Sequence, residues 1–128
     1  MPVALNHTIV WCHDKRVSAA YLTEVLGLPA ARAWGPFLEV EVANGVTLAF
    51  HEIEGDGPIA SQHYAFLVSD ADFDAIFGRI RGRGQDHWAD PGLRTPGVNR
   101  NDGGRGTYFC DPDGHLLEII TRPYGSAE

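Results

Sequence analysis

Residues 3–11 alternate apolar and polar side chains, a period of two that predicts a strand, and the pattern then changes to fourfold spacing at Val17, Tyr21 and Val25. That change predicts a helix from Asp14, a residue type that caps helix N-termini, to about Leu26, with Gly27 and Pro29 ending it. PFLEVEVA and GVTLAFHEI read as two further strands joined by Asn44-Gly45, the dipeptide of a two-residue hairpin turn. EGDGP at 54–58 breaks the chain, and the same order restarts. QHYAFLV at 62–68 predicts a strand, Ser69 with Asp72 a capping box, and Phe73, Ile76, Phe77 and Ile80 one face of a helix closed by Gly82 and Gly84. Strands GTYFC at 106–110 and HLLEIITR at 115–122 follow the glycine-rich loop 89–105, which is too long for a simple connection and reads as a mobile flap or a disordered excursion.

The chain thus reads as two copies of a strand–helix–strands unit, residues 1–58 and 59–128, within one domain spanning 1–128. Pairing the copies puts His7 opposite His63, each early in the first strand of its half, and Ala49 opposite Glu118, each in the last strand. Glu118 stands out because it interrupts an apolar run, HLLEII, where a strand buried on both faces carries no charge. Something must compensate that carboxyl group.

At 128 residues and 44% apolar composition, the chain can bury roughly two-thirds of its unfolded surface as one compact domain. A formal net charge of −7 opposes a phosphate backbone, so nucleic acid is excluded as a partner. No apolar run reaches the roughly 18 residues of a membrane span, and MPVALNHTIV lacks the features of a signal peptide; the expectation is a soluble cytoplasmic protein with no membrane partner. Two cysteines, Cys12 and Cys110, then read as free thiols.

LNHTIV with its following helix, QHYAFLVSDADF, and GGRGTYFCDPDGHLLEII together resemble the vicinal oxygen chelate superfamily of glyoxalase I, extradiol dioxygenases, fosfomycin-resistance thiol transferases and bleomycin-resistance proteins. The resemblance spans nearly the whole chain and implies an α+β fold of paired βαβββ modules. These would form cup-shaped mixed sheets, usually exchanged between the two chains of a homodimer. It also implies that His7, His63 and Glu118 match the three metal ligands of the fosfomycin-resistance type. Two neutral imidazoles and one carboxylate leave open positions on Mn²⁺, Fe²⁺, Ni²⁺ or Zn²⁺, where substrate oxygens can bind. Two places depart from the pattern. Ala49 stands where glyoxalase I has a carboxylate, and Ile9 stands where the thiol transferases have a threonine.

Strand alternation extends the candidate site. If His7 faces the cup, Ile9 and Trp11 do too, with Thr47, Ala49 and His51 from the first half and His63, Ala65 and Leu67 from the second. Tyr108, Cys110, Glu118, Ile120 and Arg122 complete the lining, and Trp34 and Trp88 lie beside loops at the rim. Arg94, Arg100 and Arg105 read as surface arginines or contacts to an anionic ligand, and His13, His87 and His115 as exposed or turn residues. An apolar, aromatic lining suits a bulky planar ligand. Two functions follow from this: sequestration of an aromatic natural product, as in antibiotic-resistance binding proteins, and metal-dependent lyase, dioxygenase or transferase chemistry assisted by Tyr108 or His51. The two catalytic departures tip the sequence reading toward the non-catalytic binding protein.

Overall fold

A computed structural model describes residues 2–126. The architecture is α+β, and the chain divides between Ala60 and Ser61 into two compact units. In the first unit, β1 (His7–Cys12) leads into α1 (Lys15–Leu26), followed by β2 (Arg32–Trp34), β3 (Phe37–Glu41) and β4 (Thr47–Glu52). The sheet order is β1-β4-β3-β2; β1 and β4 run parallel, and the other pairs are antiparallel. Asp14 caps α1 by accepting from the backbone N–H groups of Arg16 and Val17, and Gly27, in the left-handed region at φ 69°, terminates it.

The buried stripe of α1 is not the one that fourfold spacing predicts. Val17 is 54% exposed, whereas Ser18, Ala19, Leu22 and Val25 are buried. A helical period of 3.6 residues carries a strict fourfold row off the face, and the 18-22-25 stripe stays on it. This stripe packs on β3 and β4. The hairpin after β3 also differs: Val42 N–H bonds Val46 O, Gly45 N–H bonds Val42 O, and Gly45 has φ 79°. That is the three-residue loop with a left-handed glycine at its end, rather than a two-residue turn.

The second unit contains β5 (His63–Leu67), α2 (Asp70–Gly82), a 3₁₀ turn (Asn101–Gly103), β6 (Gly106–Cys110) and β7 (Leu116–Ile120). The sheet order is β5-β7-β6, parallel between β5 and β7 and antiparallel between β6 and β7. Its apolar side buries Phe109, Leu117 and Ile119, and α2 buries Phe73, Ile76 and Ile80. The Ser69 hydroxyl accepts from Asp72 N–H at the start of α2. Where the first unit has a fourth strand, this one has isolated bridges from Trp88 to Tyr108 and from Asn99 to Gly106.

The 89–105 loop is held by its own hydrogen bonds, which rules out a disordered excursion. Asp90 accepts from Thr95 N–H at 2.7 Å, a bond that lowers the Asp90 carboxyl below its usual range, and Asn99 Nδ2 donates to Ala89 O at 2.9 Å. Arg105 is taken up by Asp74 (2.7 Å) and Asp70 (3.0 Å) of α2 and lies over the Phe73 ring. Trp88 is pinned to the edge of β6 through two backbone bonds with Tyr108. His115 is fully buried, contrary to its reading as an exposed turn residue: its Nδ1 accepts from Gln62 N–H, and its own N–H donates to Asp111. Among the described residues, Cys12 and Cys110 form no disulfide. Among the described residues no helix is long and apolar enough to cross a membrane.

Candidate functional site

Glu118 lies in the middle of β7, with Ala65 of β5 as its register partner on one side and Tyr108 of β6 on the other. Alternation puts His63 on the same face, two residues before Ala65. The Glu118 side chain is 0% exposed while His63 is half-exposed, and His63 Nε2 lies 3.2 Å from Glu118 Oε1. The contact is within ion-pair range but lacks hydrogen-bond alignment, and Oε1 is a buried oxygen with no hydrogen-bond partner.

The chemistry of that contact follows from the other ring nitrogen. His63 Nδ1 lies 3.0 Å from Leu116 O, and a carbonyl only accepts, so Nδ1 carries the proton. In its neutral form His63 turns the lone pair of Nε2 toward an oxygen that is also an acceptor, an arrangement that a proton or a metal cation between them resolves. Two ligand atoms each about 2.1 Å from one ion, at an angle between about 90° and 109°, lie about 3.0–3.4 Å apart. The observed separation fits a shared metal, and the carbonyl behind Nδ1 is the outer support that metal-bound histidines have.

The second oxygen of Glu118 is committed. Tyr124, just beyond β7, donates its hydroxyl to Oε2 and accepts from the Tyr108 hydroxyl at 2.7 Å. Burial raises both phenols above their ordinary range; in Tyr124 the bond to Glu118 adds to it, and in Tyr108 the bond to Tyr124 partly opposes it. Both hydroxyls therefore stay protonated at neutral pH. The Tyr108 ring also stacks near His63, with centroids 6.1 Å apart.

His7 opens β1 in the first unit, and its Nδ1 is engaged with Asn6 Oδ1 at 2.7 Å. It lines a cavity of about 380 Å³ with Phe37, Glu39, Thr47 and Ala49 among others. Register explains the rest of that face. Trp11 pairs with His51 and Phe37 with Trp34, and the rings of His51 and Phe37 meet edge to face just beyond the β3–β4 register, so a row of four rings crosses the sheet. Successive ring centroids are 5.1, 5.0 and 6.4 Å apart. Ile9, Ala49 and Glu39 form the next row, so a carboxylate stands directly across from Ala49. His51 is held with Nδ1 on Glu52 O at 2.8 Å.

Of the residues singled out in the sequence, the structure brings His63, Ala65, Tyr108 and Glu118 together, with Leu67 and Ile120 as register partners further along the same ladder. Ile9, Trp11, Trp34, Thr47, Ala49 and His51 share the face of the first unit's sheet. Among the described residues no three His, Cys, Asp or Glu groups converge as a metal cluster. β7 ends at Ile120, two residues before the predicted strand end, so Arg122 lies past it and lines a separate cleft with Arg100 and Arg105. Cys110 is half-buried, and burial pushes its thiol up, away from reactivity. Tyr124, Phe37 and Glu39 were missed by sequence reasoning. Applying alternation to β3 would have found Phe37 and Glu39, whereas no periodic signal marks Tyr124.

The family model of the glyoxalase/bleomycin resistance protein/dioxygenase superfamily matches residues 4–119. Among solved structures, one named Oxidase ChaP-H2 is 58% identical with a TM-score of 0.94, each chain being covered in full. Another, named Oxidase ChaP-H1, is 61% identical with a TM-score of 0.92, covering 97% of this chain and 99% of that one. The glutathione transferase FosA of Serratia marcescens is 29% identical over 91% of this chain and 79% of its own length.

Proposed function

The chain belongs to the glyoxalase/bleomycin resistance protein/dioxygenase superfamily, and from that membership we propose a metal-dependent oxidase acting on a planar aromatic small molecule. The observation that carries the reading is the His63–Glu118 pair, a buried carboxyl oxygen without a hydrogen bond facing an imidazole lone pair. High identity to two proteins named as oxidases supports oxidation over the other chemistries of the superfamily, and moves the reading from sequestration to catalysis. Transferase chemistry of the FosA kind is disfavoured by Ile9, which stands in the place of a threonine.

His63 and Glu118 would hold a divalent metal such as Mn²⁺, Fe²⁺, Ni²⁺ or Zn²⁺, and His7 of a second copy of the chain would complete the set. A homodimer with exchanged modules is supported by large apolar side chains left open on the sheets, with Trp34 67% and Leu67 60% exposed. A metal held there would supply Lewis-acid polarisation of substrate oxygens and, if redox-active, electron exchange. The chain's own residues do the remaining work. The Trp11–His51–Phe37–Trp34 row offers ring faces for a planar substrate, and the buried Tyr108 hydroxyl, in a hydrogen-bonded chain with Tyr124 and Glu118, can hold or move a proton at the substrate.

Sequestration remains as a second reading because the aromatic row alone suffices to bind such a ligand. The separating experiment is turnover of a panel of polycyclic phenols and quinones under air by the Mn²⁺- or Fe²⁺-loaded protein and by Glu118→Ala. Oxidised product from the wild type and none from the variant supports the oxidase. Tight binding with no product from either protein returns the chain to sequestration.

A further inference from the structure

Glu118 has two oxygens in different states, and the difference traces to a short segment after β7. Pro123 to Ser126 form a turn closed by Ser126 N–H on Pro123 O at 3.2 Å, with Gly125 in the left-handed region at φ 76° as the third residue of a type II turn requires. Tyr124 is the second residue of that turn, and its hydroxyl takes Oε2. Oε1, left without a hydrogen bond, is the oxygen 3.2 Å from His63 Nε2.

The turn is itself fastened. Gly125 N–H donates to Asp102 Oδ1 at 3.1 Å, across from the 3₁₀ turn that ends the long loop. Asp102 has φ 56°, a left-handed conformation uncommon outside glycine and best tolerated by Asn and Asp. Such strain persists where the surroundings over-determine it, and here a contact that aims Tyr124 depends on it. The links run Asp102 to Gly125, Tyr124 and Glu118.

We infer that Tyr124 is a positioning residue that makes Glu118 a one-oxygen ligand, and that Asp102 sets Tyr124 in place. This rests on the metal reading of His63 and Glu118 and adds a donor outside the ligand set. With Oε2 capped, the carboxylate presents Oε1 alone at a fixed angle. Without Tyr124 it can rotate, and a buried oxygen loses its donor.

The test is titration of the apo protein with Mn²⁺ for wild type, Tyr124→Phe, Asp102→Gly and Asp102→Asn, each shown folded by its circular dichroism melt. Tyr124→Phe is expected to weaken Mn²⁺ binding about tenfold or more, the usual effect of removing an outer partner of a metal ligand. Asp102→Gly removes the acceptor while relaxing the backbone, and should weaken binding in the same direction. Asp102→Asn keeps an acceptor and tolerates the left-handed conformation, and should restore wild-type affinity, a rescue that a general loss of stability would not give. Tyr124→Phe binding Mn²⁺ as tightly as wild type overturns the inference and leaves the proposed function standing. Should Tyr124→Phe fail to fold, equal affinities for the two Asp102 variants overturn it instead. Wild type that takes up no Mn²⁺, Fe²⁺, Ni²⁺ or Zn²⁺ overturns the proposed function and the inference together.

Discussion

Ala65 is the register partner of Glu118 across the parallel β5–β7 ladder, so the smallest chiral side chain stands beside the one buried carboxyl of that strand. A larger residue there would crowd the Glu118 carboxyl group. Ala65 is exposed, so Ala65→Leu disturbs no core packing. It is expected to leave the melting temperature nearly unchanged and to weaken Mn²⁺ binding by at least about tenfold, or 1.4 kcal/mol, in a direct titration.

The aromatic row predicts a different separation of effects. Phe37 lies between His51 and Trp34 with ring centroids 5.0 and 6.4 Å away, and Trp11 ends the row. Trp11→Ala and Phe37→Ala should each weaken a polycyclic aromatic ligand by about 1 kcal/mol or more while leaving Mn²⁺ affinity unchanged. Fluorescence titration with the ligand and separate titration with the metal check the two halves of that statement.

Asp111 carries a pH signature. Asp111 is a buried residue, and desolvation raises its carboxyl pKa, opposed by hydrogen bonds from His115 N–H and Asp113 N–H. A carboxyl whose folded pKa exceeds its unfolded one binds its proton more tightly in the fold. Its contribution is therefore full below the ordinary Asp range, about pH 3.9, and is lost as pH rises through the elevated folded value. Asp111→Asn keeps an oxygen for both N–H donors and removes the charge. The variant should melt higher than wild type at pH 7, with the gap closing in acid; a gap of constant size across pH would contradict this origin.

Two glycines should respond in opposite senses. A methyl group on Gly104 would come 2.6 Å from Thr121 Oγ1, which is held by Arg105 N–H at 2.8 Å, and 2.8 Å from Arg122 Cγ. Gly104→Ala should cost about 1–3 kcal/mol through this overlap, because its φ of −110° suits any residue. Gly78, inside α2 with open space around it, should gain about 0.5–1 kcal/mol on replacement by alanine. Chemical denaturation of the two variants reads both.

Much of this molecule can be read from its sequence, for reasons that differ by element. β6 coincides with GTYFC, because a short β-branched and aromatic run there is bounded by glycine on one side and an Asp-Pro turn on the other. Glu118 and His63 were legible because the chain repeats its own pattern, which gives a charged residue in an apolar strand a place to be compared with. β2 was not legible: three exposed residues between Pro29 and Gly35 carry no period. The α1 face was misassigned because a short helix offers two apolar stripes and only packing against β3 and β4 chooses between them. Tyr124 was invisible because its role depends on a turn and on Asp102, more than twenty residues earlier in the chain.

His63 and Glu118 of one chain are proposed to hold a metal with His7 of another, and the metal content of a mixed dimer tests this arrangement. His7→Ala and Glu118→Ala chains carrying different tags are co-expressed, the doubly tagged dimer is isolated, and bound Mn²⁺ is counted beside wild type and each variant alone. Two ions are expected per wild-type dimer, none for either variant, and one for the mixed dimer, whose single intact site combines His7 of one chain with Glu118 of the other. A wild type that takes up no metal, or a mixed dimer as empty as its parents, would contradict it.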